Sequence, residues 1–129
     1  MNLQELVAAV LADGTVDAQE VVQLQEAVYA DGVVDKEEAD ALFEINDAVS
    51  GKENAPEWTG LFATAIADYV LADEESPNVI DADEAQYILE KIQGDGQVDA
   101  QELALLKQIK DRASIIDPTL GAFITEQGL

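Results

Sequence analysis

The chain has 129 residues, with 28 acidic against 6 basic side chains, a net charge of -22, and neither cysteine nor histidine. That length suits one domain with a real core. The charge opposes nucleic acid and anionic membranes and favours cations and basic proteins as partners. The missing residue types exclude disulfides, thiol chemistry, thiolate or imidazole zinc sites and histidine-dependent triads.

The acids divide evenly, 14 in residues 1–64 and 14 in residues 65–129, so the charge is not the property of a tail. Apolar residues make up 48% of the chain and aromatics only 5%, which points to helices packed through small side chains. The opening M-N-L-Q-E-L lacks a positively charged leader segment, and no apolar run approaches the length of a membrane span. A soluble, cytoplasmic protein is expected.

Helical spacing recurs along nearly the whole chain. Leu3, Leu6, Val7, Val10 and Leu11 mark a first helix, and Val21, Leu24 and Val28 a second. Leu42, Phe43, Ile45 and Val49 mark a third. The polar connector S-G-K-E-N-A-P follows, with Pro56 suited to a helix start. Trp58, Leu61, Phe62, Ala65, Ile66, Tyr69 and Val70 give the most regular amphipathic pattern, a fourth helix. Ile88, Leu89 and Ile92 carry a fifth, and Leu103, Leu106 and Ile109 a sixth. Asp117-Pro118 opens a short seventh with Leu120, Phe123 and Ile124. No segment alternates long enough to predict a strand. The stripes, Trp58 and Tyr69 included, read as core.

Between the helices one string repeats. D-G-x-V-D-x-x-E stands at Asp13 to Glu20, Asp31 to Glu38 and Asp95 to Glu102, and a worn copy, P-N-V-I-D-A-D-E, at Pro77 to Glu84. The copies form two pairs offset by 64 residues, and at that offset Asp17 meets Asp81, Glu20 meets Glu84, Asp35 meets Asp99 and Glu38 meets Glu102. The pattern predicts an internal duplication over about residues 3–50 and 67–114, helices one to three repeated as four to six within one domain, 1–129.

Each copy carries a helix stop and a helix start. Gly14 can take the left-handed backbone that ends a helix. Asp17 is an N-cap, and Glu20 at N3 can reach back to the cap amide and complete a capping box. Val16 and Val21 form a hydrophobic staple, as do Val34/Ala39, Ile80/Ala85 and Val98/Leu103.

The same string matches the second half of a calcium loop. Loop positions 5, 6, 9 and 12 of an EF-hand want an oxygen ligand, Gly, an acid and a bidentate Glu, the order of Asp13, Gly14, Asp17 and Glu20. Positions 1 and 3 are Ala9 and Leu11 in this copy, Ala27 and Tyr29 in the second, and Lys91 and Gln93 in the last. Residues 73–84 are fuller, with Asp73, Glu75, Asp81 and Glu84 at positions 1, 3, 9 and 12, but Pro77-Asn78 at the centre. Capping alone and capping with a bound cation both fit this spacing. An all-carboxylate donor set selects calcium, then magnesium or manganese.

The strings Ala12 to Glu20, Ala30 to Glu38 and Gly94 to Glu102 resemble the A-D-G-x-V-x-x-x-E pattern of the TerB-like tellurite-resistance family and of the N-terminal domain of the DjlA co-chaperones. The likeness, counting the helical layout, covers most of residues 3–113. It implies an all-α bundle with helix pairs related by a pseudo-two-fold axis, and divalent cations at Asp13, Asp17, Glu20, Asp31, Asp35, Glu38, Asp95, Asp99 and Glu102. It also implies a role near bacterial metal-stress or membrane-associated systems, without catalytic activity. The expectation is a non-enzymatic acidic domain that binds divalent cations. The alternative is a metal-independent scaffold docking a basic partner, with Lys107, Lys110 and Arg112 either orienting that partner or offsetting a helix dipole.

Overall fold

A computed structural model describes residues 3–30, 34–49, 54–71, 78–93 and 98–129. It is all-α apart from one two-residue strand pair. The helices are α1 (Leu3–Asp13), α2 (Ala18–Val28), α3 (Lys36–Val49), α4 (Pro56–Leu71), α5 (Ala82–Gln93), α6 (Ala100–Arg112) and α7 (Pro118–Glu126). None of the described helices is long and apolar enough to cross a membrane.

The fourth helix is more than amphipathic. Besides the predicted stripe it buries Ala63, Ala67 and Leu71. It is the central helix, with α6, α2 and α3 packed around it, while α1 lies on α2 and α3 and α7 covers α5. The physical reason is volume, since Ala63, Ala65 and Ala67 let neighbouring helices approach on more than one side. Phe62 meets Phe43 edge-on at 5.2 Å, and Trp58 packs on Phe62 at 5.8 Å, so the few aromatics cluster where α3 crosses α4.

Two stripe assignments shift. Leu11 is 40% exposed, whereas Val10 beside it is fully buried. Each four-residue step advances about 40° around a helix, so the arc from Leu3 through Val7 has left the core side by Leu11. In α6 Leu105 is fully buried and Leu103 only partly, so the buried face lies slightly off the predicted one.

The short strands were not visible as alternation, because two residues have no period. β1 (Val79–Ile80) pairs in parallel with β2 (Ile115–Ile116). The N–H of Ser114 donates to the Asn78 carbonyl at 2.7 Å and that of Asp117 to the Ile80 carbonyl at 2.8 Å. The pairing fastens the third motif copy to the α6–α7 connector.

Backbone conformation supports the reading of the motif as a helix stop. Gly14 has φ +77°, and its N–H closes α1 on the Val10 carbonyl at 2.8 Å. Asn78, which replaces glycine in the worn copy, has φ +63°. Asparagine is among the residues that tolerate this region best, so the worn copy keeps the turn.

Candidate functional site

All four motif copies make the same reciprocal bonds. The N–H groups of Glu20, Glu38, Glu84 and Glu102 donate to Oδ1 of Asp17, Asp35, Asp81 and Asp99 at 2.8–2.9 Å. In return the N–H groups of those aspartates donate to the glutamate Oε1 atoms at 3.0–3.1 Å. Each junction thus satisfies two of the amides a helix start leaves open. The staples behave likewise: Val16/Val21, Val34/Ala39 and Ile80/Ala85 are buried, and Val98/Leu103 partly so. Asp31, Asp73, Glu75 and Asp95 lie outside the described residues.

The junctions differ in their surroundings. At the start of α6, Glu102 is fully buried, and both Asp99 oxygens are engaged. Asp99 Oδ2 accepts from Asn46 Nδ2 at 2.8 Å, and Asn46 Oδ1 accepts from Trp58 Nε1 at 3.2 Å. This largely buried chain ties the α6 cap to the last turn of α3 and the first turn of α4. Asn46 was not singled out from sequence, although a signal was there: it stands four residues after Leu42 and three after Phe43, inside the apolar stripe of α3.

At the start of α2 the setting is open. Asp13 and Asp17 are exposed, and Glu20 half-buried. Partial burial raises the Glu20 pKa above the usual carboxylate value; the Asp17 backbone N–H opposes the rise. The charges of Asp17 and Asp13 add to it, as does a hydrogen bond with the Asp13 side chain. The motif's leading acid therefore stands beside its last one. Behind this junction Asn54 Oδ1 accepts from Val16 N–H at 2.9 Å, and Asn54 Nδ2 donates to the Val49 carbonyl.

Copies two and three meet around Tyr69. Burial raises the Tyr69 pKa, and the charges of Asp40, Glu84 and Asp35 raise it further. Even so, among the described residues no three carboxylates are grouped to hold a metal ion. Sharing of ligands between loops, the arrangement the incomplete calcium loops would require, does not appear among them.

Two tyrosine–aspartate–cation groups were missed by the sequence reading. The Tyr29 hydroxyl donates to Asp68 Oδ2 at 2.6 Å, while Arg112 donates to Asp68 Oδ1 at 2.7 Å. The Tyr87 hydroxyl donates to Asp40 Oδ1 at 2.7 Å, with Lys91 Nζ 3.3 Å from the same oxygen and 5.7 Å from the Tyr87 ring centroid. Burial, followed by the aspartate bond, raises the pKa of both tyrosines well above its ordinary value. They remain neutral donors. The contacts with the two aspartates join residues 39 to 51 positions apart, a separation at which no local pattern identifies a partner. Arg112 therefore pairs with Asp68 as well as ending α6 together with Lys110.

Compared with known proteins, the chain matches no family model, no curated protein and no solved structure. Fold and site together describe a mostly helical acidic chain in which four of the described helices, α2, α3, α5 and α6, start at repeated Asp/Glu capping boxes.

Proposed function

We propose that this protein is a non-catalytic domain that binds hard divalent cations, calcium before magnesium or manganese, at its exposed acidic helix junctions. The observation that carries the reading is the proximity of Asp13, Asp17 and Glu20 at the first junction, where partial burial first, and then the neighbouring negative charges, hold the Glu20 carboxyl above its usual pKa. A divalent cation relieves that repulsion, and all the donors are the oxygens such ions prefer. Because the side chains are not grouped around a point, binding requires rearrangement of Asp13 and retained water in the ion's shell. Glu102, fully buried, and Asp99, half-buried and bonded to Asn46, act as structure in this reading. The resemblance to TerB-like domains points the same way, as does the 64-residue repeat, in which the packing of α1 on α3 has its counterpart in that of α4 on α6.

The test is a thermal melt of the whole protein in EDTA and in calcium at matched ionic strength. Saturating calcium at 100 times its dissociation constant stabilises by about 2.7 kcal/mol. Asp13→Asn should lessen that shift while leaving the melt in EDTA nearly unchanged. A calcium melt equal to one in sodium chloride of the same ionic strength would refute the proposal.

A further inference from the structure

A groove runs between α1 and the N-terminal half of α3. Leu3, Val7 and Ala41 supply its apolar lining, the capping Glu38 and the cation Lys36 also line it, and Glu37, Asp40 and Glu44 give it an excess of negative charge. These three acids recur at i, i+3 and i+7, so they form one stripe along α3. Asp40 is engaged by Lys91 and Tyr87, and Glu37 accepts a long 3.5 Å contact from Gln4. Glu37 and Glu44 are exposed.

We propose that this groove docks a basic amphipathic helix of a partner protein. An apolar lining between two helices accepts the apolar face of a third, with anchors at helical spacing. The acidic stripe selects lysine or arginine along the edge of that face and steers its approach. A second copy of this chain, also at -22, would be repelled, and so would an anionic membrane surface. The groove is separate from the first helix junction, and because Glu38 of the second junction lines it, the test is made in EDTA so that it is read apart from cation binding.

The probe is a fluorescein-labelled two-heptad peptide, Leu-Lys-Lys-Leu-Leu-Lys-Leu repeated, titrated with the full chain in EDTA at physiological salt and read by anisotropy. The expected result is saturable one-to-one binding that a scrambled peptide of equal composition does not show. Joint Glu37→Lys and Glu44→Lys substitution should weaken it roughly tenfold. Joint Asp111→Lys and Glu126→Lys substitution changes net charge equally on exposed positions of α6 and α7, and should change affinity less than about twofold. Circular dichroism melts establish that both variants fold, and the milder Glu37→Gln with Glu44→Gln pair serves if the reversal does not. Equal weakening by the two reversals would overturn the proposal in favour of diffuse attraction. Equal binding of the scrambled peptide, or no binding of either peptide, would overturn it outright.

Discussion

Asn46 donates to Asp99 at 2.8 Å, joining the last turn of α3 to the residue that caps α6, 53 positions later. Trp58 completes the chain from the other side of the same amide. A helix start is thereby held by two other helices as well as by its own capping box.

Replacing Asn46 by leucine removes both bonds and leaves the Trp58 indole N–H buried. The expected loss is about 1–3 kcal/mol in urea unfolding, the cost of abandoned buried polar groups. Asn46→Asp places a carboxylate against Asp99 and should lose more at neutral pH than at pH near 4, where protonation removes the repulsion.

The caps should rank by context. Asp17→Ala removes one capping bond at an exposed junction and should cost about 1 kcal/mol. Asp99→Ala removes the same bond and the Asn46 partner too, so its loss should be larger by about another 1 kcal/mol. Asp17→Ser keeps a cap oxygen and should be nearly neutral in EDTA. Equal losses for the two alanine variants would show that the Asn46 bond contributes nothing.

Acid should stabilise before it destabilises. Glu20 binds its proton more tightly when folded, so the folded state holds more protons just above pH 4.5, and stability falls as pH rises through that window. Lowering the pH from neutral toward 5 should therefore raise the melting temperature, helped by relief of the overall negative charge. Glu20→Gln should flatten part of that slope in melts taken across the range.

At the alkaline end the tyrosines act in the same direction as Glu20, lowering stability as pH rises. Tyr29 and Tyr87 have raised folded pKa values, so their contribution is complete below the ordinary value of 10.0 and is lost as pH rises above it, where only the unfolded chain ionises. Alkaline unfolding followed by tyrosinate absorbance should show these two ionising together with the loss of helix. Tyr87→Phe should make the melting temperature less sensitive to pH above 10.

Gly14→Ala tests the turn itself. No atom lies within 4 Å of where its Cβ would be, so the cost is backbone strain at φ +77° alone, about 1–2 kcal/mol. Asn78→Gly, at φ +63°, should be tolerated by the same backbone criterion.

Helix positions and caps were legible because their causes are local. Three-to-four-residue apolar spacing, Pro56 and Pro118 at helix starts and Asp/Glu pairs three apart each act within one or two turns. Asp17, Asp35, Asp81 and Asp99 therefore cap as their spacing predicts. Drift was greatest at Leu11, which is exposed, and smaller at Leu3, Tyr69, Leu89, Leu103 and Phe123, which are half-buried, because helix rotation relative to neighbours decides which flank is buried.

What sequence could not decide was the company each motif keeps. Four strings with the same Asp/Glu spacing become a buried structural joint at Asp99, an open crowded junction at Asp17, and a pair near Tyr69, because α4 sits at the centre and the other helices are fitted around it. Periodicity and capping specify helices by short-range bonds and sterics. Packing, which sets Asn46 against Asp99 and Tyr29 against Asp68, depends on where whole helices come to rest.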